Sequence, residues 1–377
     1  MKITLKRTPE QVELVKAMAS RNRQVAYEAQ VALAEFIGPV LAEVLNQAPT
    51  VSNLFQTLQF DADDNPSIPL DLYYNISDED YVQVWSQSHA GGLPSSQVLP
   101  TASELKLATY SLDSAVDFDR RYAAKSRMDV VSKTFTRVAQ NILIKQETTS
   151  ATLIMSALAN ATTNGKQHVQ NCTQDGRFIL NDLNELLTLA KRINTSWIGG
   201  TPTTRTKGIT DLLCSPEIVE DLRAMAYNPI NSVAADGQAP ANTEDGIAAP
   251  DSIRSQLYEN AGLPEFYGIS IMELNELGAN QRFTNLFTAQ GGTYKRPDGT
   301  GSEAFEDGDD IVVGVDRSRD SLIRAVATDS ESGGEFTLLA DDQYSIRQNK
   351  IGYFGSIEEG RVVLDNRVLV GKMIPAA

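Results

Sequence analysis

The chain has 377 residues, of which 41% are hydrophobic and 22% charged, and its 33 Lys and Arg against 49 Asp and Glu give a formal net charge of −16. That composition supports a sizeable core, and the acidic excess argues against a general nucleic-acid binder or a protein docked on an anionic membrane, both of which need a basic face. Two cysteines, Cys172 and Cys214, are too few for a disulfide framework and match no zinc spacing, so buried free thiols are expected over a single bridge.

The N-terminal residues Met1 to Arg7 are followed by no apolar segment of signal-peptide length. The best candidate for a membrane helix, Val31 to Leu45, is broken by Glu35 and Glu43, short of roughly 18 uninterrupted apolar residues. A soluble product made in a cytoplasm is expected. The glycosylation triplets at Asn75 and Asn194 then carry no weight.

The first predicted helix opens at Thr8 as N-cap, with Pro9 in the first turn and Gln11 completing a capping box. Leu33, Ile37, Val40, Leu41 and Val44 recur at three- and four-residue steps on one face. Gly38-Pro39 predicts a kink or two consecutive helices, ending before Pro49. From about Val51 to Tyr110 helical periodicity is lost. Short alternating pieces (Leu54 to Phe60, Leu70 to Tyr74, Tyr81 to Trp85) among several prolines predict an extended hairpin or arm completed by a partner. Leu105 to Tyr110 and Ser114 to Asp119 are two further strand candidates.

Met128 to Leu158 contains neither Gly nor Pro, and Val131, Phe135, Val138, Ile142, Leu153 and Ala157 keep a helical stripe. The spacing predicts a rod of about 46 Å, too polar around Lys145 to Ser150 for a coiled-coil seam. Residues 160 to 176 read as loop. Asn181 is a candidate N-cap for a helix over Asp182 to Asn194. Ile209 to Ser215 reads as a buried strand, Pro216 opens a helix through Met225, and Gly268 to Leu274 is a second buried strand. Loops are expected over Asn228 to Pro250 and Gly291 to Asp310. The tail offers strands at Asp310 to Val315, Tyr344 to Phe354, Val362 to Leu364 and Val368 to Val370, the last two joined by a hairpin turn at Asp365-Asn366-Arg367. No solenoid or propeller period occurs. Strands and helices are segregated, which gives an α+β class.

Chemistry-bearing patterns are sparse. The two histidines, His89 and His168, sit in no ligand or triad pattern and are read as surface or hydrogen-bonded structural residues. Gly299-Thr300-Gly301-Ser302-Glu303-Ala304 lacks the preceding strand and following helix of a dinucleotide fingerprint and reads as a turn. Asp61 to Asn65 departs from a calcium loop at Pro66 and Leu72. Glu303, Glu306, Asp307, Asp309 and Asp310 read as a solvated acidic loop. No catalytic, cofactor-binding or metal-binding residue is assigned, and no cofactor is expected.

The order of parts resembles the major capsid proteins of tailed phages, with the Hong Kong 97-like fold. The resemblance is carried by the strand into a Pro-started helix at Leu212 to Ile218, by Gly262 to Ile269, and by the tail from Ile346 to Tyr353 with Glu359 to Asp365 and Val368 to Gly371. It implies an N-terminal helical arm (1–50), an extended E-loop (51–110), a peripheral domain with a spine helix (111–175), an axial domain (176–310) and returning strands that complete both domains (311–377). It further implies a non-enzymatic subunit assembling as hexamers and pentamers into an icosahedral virion shell. That shell encloses double-stranded DNA without sequence-specific binding, is built in the host bacterial cytoplasm, and works with scaffolding, portal and decoration proteins. Some members crosslink through an E-loop lysine. Residues 51 to 100 contain none, and Lys106 lies on the return strand, so crosslinking is not carried over. An encapsulin-like compartment shell shares the fold, and an enzyme of unrecognised α+β fold is the alternative of another class.

Overall fold

The computed structural model describes residues 8–47, 51–61, 64–69, 104–163, 165–193, 208–225, 265–266, 268–295, 302–306, 308–319, 321–328, 335–341 and 348–376. The chain forms two compact units, each drawn from separate stretches. The first takes Met1–Ile68, Leu105–Ser150 and Leu322–Val362; the second takes Pro69–Glu104, Ala151–Ser321 and Val363–Ala377.

In the first unit, helices α1 (Pro9–Ala17) and α2 (Arg23–Gln47) form the N-terminal part. Thr8 caps α1, its hydroxyl accepting from the Gln11 N–H at 3.4 Å. The reciprocal half of the expected box is not made: Gln11 Oε1 is buried without a hydrogen-bond partner among the described residues. The break between the helices lies at residues 18–22, where the Asn22 side chain accepts from the Gln24 N–H, and not at Gly38-Pro39, where α2 is continuous. Pro39 removes one helical N–H bond. Pro39 and Glu35, the carbonyl left over, both lie on the exposed side of the helix, where water can take it. Over Arg23–Leu45 this helix is long and apolar enough to cross a membrane by length and composition. Its stripe Leu33, Ile37, Leu41 and Leu45 is nevertheless buried in the unit's own core.

The sheet of this unit takes β1 (Gln56–Asp61), β4 (Thr109–Asp119), β14 (Leu322–Thr328), β15 (Thr337–Asp341) and β16 (Lys350–Val363), in the order β1-β14-β16-β15 with β4 also on β16. The two strands expected between Leu105 and Asp119 divide differently. A short β3 (Glu104–Lys106) pairs with β2 (Ser67–Pro69), and β4 then runs unbroken along β16 from Thr109↔Gly360 to Asp119↔Lys350. Asp119 ends the strand and caps α3 (Arg120–Ala124), accepting from the Arg121 N–H at 2.9 Å. The strand candidates at Leu70 to Tyr74 and Tyr81 to Trp85 lie outside the described residues. Helix α4 occupies Met128–Leu158, the span its uninterrupted stripe predicts. Its Phe135 packs edge-on to Tyr353 of β16, centroids 5.2 Å apart, and Phe118 of β4 stacks on the same ring. The core is therefore helices α1, α2 and α4 closed on one sheet.

The second unit is built on an eight-stranded sheet, β12-β11-β7-β17-β13-β8-β10-β9. These are β7 (Val169–Asn171), β8 (Asp211–Cys214), β9 (Glu265–Phe266), β10 (Ile269–Glu273), β11 (Thr293–Lys295), β12 (Ser302–Ala304), β13 (Asp310–Val315) and β17 (Leu369–Ile374), with a two-stranded β5 (Thr162–Thr163) and β6 (Lys166–Gln167) beside β7 in sequence. Every residue of β8, β13 and β17 is buried, which explains their largely apolar sequences; the exception inside β17, Lys372, is paired with Glu185 at 2.6 Å. Helices α5 (Leu180–Ile193) and α6 (Pro216–Met225) cover one face through Leu183, Leu186, Ile193, Ile218 and Leu222. α5 starts two residues earlier than expected, because Asp182, not Asn181, ties down its N-terminus: Oδ2 accepts from the Ile179 N–H and Oδ1 from the Thr173 N–H. A further helix, α7 (Arg282–Ala289), lies where no element was expected, and the β11–β12 pair lies where a loop was expected.

The tail differs most from expectation. Val363 ends the long β16, which belongs to the first sheet, whereas β17 belongs to the second. Asp365-Asn366-Arg367 is therefore not a hairpin turn. Asp365 instead accepts from the Arg367 N–H and caps a short 3-10 turn over Asn366–Val368.

Candidate functional site

The residues singled out for chemistry take structural roles where they are described. His168 is fully buried. Its Nδ1 and Nε2 each lie 2.9 Å from an oxygen, the Leu369 carbonyl and the Thr163 hydroxyl, and burial pulls its pKa below the usual histidine value. His89 lies outside the described residues. Cys172 and Cys214 are both free and buried, and burial raises both thiols well above the usual value.

The acidic run is solvated only in part: Glu306 is exposed, whereas Asp309 and Asp310 are buried. Asp309 accepts from the backbone N–H groups of Glu306 and Ala376. Asp310 accepts from the Ser215 hydroxyl and the Ile311 N–H, while burial raises its carboxyl. Both are buried because they close the start of β13 against β17 and α6. Glu303 accepts from the Tyr294 hydroxyl at 2.6 Å; Asp307 lies outside the described residues. Ser302 to Ala304, the end of the glycine-rich stretch, is strand β12 and opens no helix. Among the described residues no group of three His, Cys, Asp or Glu is placed to hold a metal ion.

Two features of the first unit stand out. One is a buried charge cluster that sequence reading missed. Glu359, in the middle of β16, is 0% exposed, and its Oε2 accepts from Arg324 Nε at 2.9 Å, Gln146 Nε2 at 3.0 Å and Arg361 Nη2 at 3.1 Å. Its Oε1 accepts from the Tyr110 hydroxyl at 2.9 Å. Burial pushes this carboxyl up, but Arg361 and Arg324 outweigh it and hold the pKa below the usual glutamate value. Burial, then the Glu359 charge, pushes Tyr110 up to about 12. Arg361 also donates to the Ser52 hydroxyl and the Gln146 carbonyl and lies over the Phe55 ring. The cluster thus ties β14, β16, β4, α4 and the turn before β1 together. An open cleft of about 480 Å3 adjoins it, lined by Ser52, Phe55, Leu58, Gln59, Arg324 and Glu335 among others.

The other feature is apolar. All the exposed large apolar side chains among the described residues belong to the first unit: Val25, Tyr27, Phe36 and Val40 on α2, Ile144 on α4, and Leu58, Tyr122 and Leu339. Phe36, Ile144 and Leu339 are each more than half exposed, at 52%, 55% and 60%. The periodicity of α2 signals its buried stripe and gives no notice of this second one.

No family model matches the chain, and no curated protein matches it. Among solved structures it is similar to a capsid structure of the cyanophage P-SCSP1u, at 12% identity over 88% of this chain and 89% of that chain, with a TM-score of 0.45. It is similar to a structure of Microbacterium phage Oxtober96, at 12% identity over 88% and 92% of the two chains, with a TM-score of 0.47. It is also similar to the holo-SrpI encapsulin complex from Synechococcus elongatus PCC 7942, at 13% identity over 85% of each chain, with a TM-score of 0.42. At these identities and TM-scores none of the likenesses assigns a function to this chain.

Proposed function

We propose that the chain is a shell subunit, the major capsid protein that self-assembles as hexamers and pentamers into the icosahedral head of a tailed phage. The observation that carries this reading is the first unit itself. It combines two N-terminal helices, the Met128–Ser150 part of the spine helix and an eleven-residue strand pairing, and it leaves apolar side chains on both long helices uncovered. Neighbouring copies in a closed lattice would cover such faces, and symmetry multiplies each small contact into a stable assembly.

In this reading residues 1–50 are the arm, 51–110 the E-loop, 111–175 the peripheral domain, 176–310 the axial domain and 311–377 the returning strands. The chain acts without a catalytic residue or cofactor. It is assembled in the host cytoplasm with scaffolding, portal and decoration proteins, and its acidic charge of −16 lets packaged DNA leave without being gripped. Sedimentation velocity and negative-stain imaging of the purified chain test the proposal. Closed shells, or pentamers and hexamers, are the expected result, with a small uniform diameter pointing to an encapsulin-like compartment. A monomer at every concentration and salt would overturn it.

A further inference from the structure

The two long helices of the first unit carry opposite charge on their uncovered sides. On α2, Val25, Ala32, Phe36 and Val40 follow one another at helical spacing and are exposed, flanked by the exposed carboxylates Glu28 and Glu35. They lie beside the stripe Leu33, Ile37 and Leu41 that enters the core, roughly a quarter turn round the helix at 3.6 residues per turn. On α4, Val131, Phe135, Val138 and Ile142 enter the core and turn Lys133, Arg137, Ile144 and Lys145 to the outside. Asp129 opens this stripe one turn before Lys133. Lys133, Arg137 and Lys145 form no ion pair among the described residues, and Ile144 is 55% exposed with no apolar cover. From Val25 to Val40 the α2 face is roughly 22 Å long, and from Lys133 to Lys145 the α4 face is roughly 18 Å, at 1.5 Å per residue. One face is apolar with an acidic edge. The other is basic, with the exposed Ile144 beside Lys145 at its C-terminal end.

Resting on the shell reading above, we propose that the outward face of α2 in one copy docks on the outward face of α4 in a second copy. Phe36 and Val40 then cover Ile144, and Glu28 and Glu35 meet Lys133 and Arg137. Two different faces of one chain that fit each other make a head-to-tail contact, the kind that closes into rings. Helix faces that interdigitate at three- and four-residue steps supply the packing. The charges set register and exclude the like-with-like pairing of two α2 faces, which would bring carboxylates together.

Three forms of the full chain test this: Glu28→Lys with Glu35→Lys, Lys133→Glu with Arg137→Glu, and all four together. All four positions are exposed, and far-UV circular dichroism checks that each variant stays folded. The readout is the assembled fraction by sedimentation velocity at one protein concentration. Either pair alone is expected to raise the concentration needed for assembly by about tenfold or more, since like charges then face each other, and the four together to restore it. Single pairs that assemble like the parent would overturn the inference, and so would a fourfold variant no better than the pairs. So would a block confined to the α2 pair, which would assign that face to a different protein. A parent chain that never assembles is a different result and overturns the shell reading itself.

Discussion

Glu359→Ala is the most informative single change in the first unit. The carboxylate is 0% exposed, and its partners Arg324 and Arg361 have side chains 8% and 1% exposed. Its removal leaves two guanidinium groups buried with no counter-charge, and takes the acceptor from Gln146 and Tyr110. Breaking a buried pair from one side costs about 3–5 kcal/mol, because the remaining charge stays desolvated. With a urea dependence of about 2–3 kcal/mol per molar, the unfolding midpoint falls by about 1–2.5 M. Replacing Arg324 by Met in the Glu359→Leu background removes one of the two cations left without a counter-charge and should recover part of the loss.

The pH dependence gives a second handle on the same residue. The folded carboxyl titrates below its ordinary value of 4.5, so the unfolded chain takes up the proton first. Its contribution is fully present above pH 4.5 and is lost as pH falls from there through the lower folded value. Glu359→Gln should flatten that acid limb. A loss under about 1 kcal/mol for Glu359→Ala, the size expected of a surface pair, together with an unchanged acid limb, would refute the account of the cluster as a buried, charge-paired tie.

Two further outcomes follow from the same close packing. A Cβ on Gly360 would lie 2.7 Å from the Ala108 carbonyl oxygen, a backbone atom that cannot swing aside. Gly360→Ala should therefore destabilise by about 1–3 kcal/mol, read as a melting temperature lower by several degrees, and an unchanged melt would refute the fit at this crossing. His168 is buried with its pKa below the ordinary 6.5, so the unfolded chain binds that proton first and stability is lost as pH falls from 6.5 toward the folded value. Urea midpoints at pH 7.5 and 5.5 should differ more in the parent than in His168→Gln, and equal differences would exclude His168 as a contributor.

The parts legible in the sequence are those with a local cause. α4 is found at both ends because thirty-one residues without Gly or Pro keep one apolar stripe. Pro216 marks the first turn of α6, and the apolar runs of β8 and β13 mark strands buried on both faces. The parts missed depend on distant partners. Arg324 interrupts an otherwise apolar run from Leu322 to Ala327, which hides β14, and it does so because its charge is answered by Glu359 on another strand. Nothing near Glu359 or Arg361 in sequence announces Tyr110 or Gln146. The same holds at Asp365 to Arg367, whose composition fits a hairpin. Whether two flanking strands pair with each other or with two separate sheets is decided by β4 and β13, far upstream. Asp309 and Asp310 look like solvent residues until the backbone groups they satisfy are known.

The pairing order also governs when the molecule can form. β1 lies beside β14, as in Gln56↔Ile323, and β4 finds its partner only in β16, as in Thr109↔Gly360. The central β13 of the second sheet is closed on one side by β17, ending at Ile374. A chain emerging from the ribosome therefore holds its N-terminal helices without their sheet until β16, Lys350–Val363, has been made. Such non-local pairing slows folding and leaves apolar surface open meanwhile. It also means that a truncated product lacks both finished sheets, so an incomplete copy has no completed surface with which to join its neighbours.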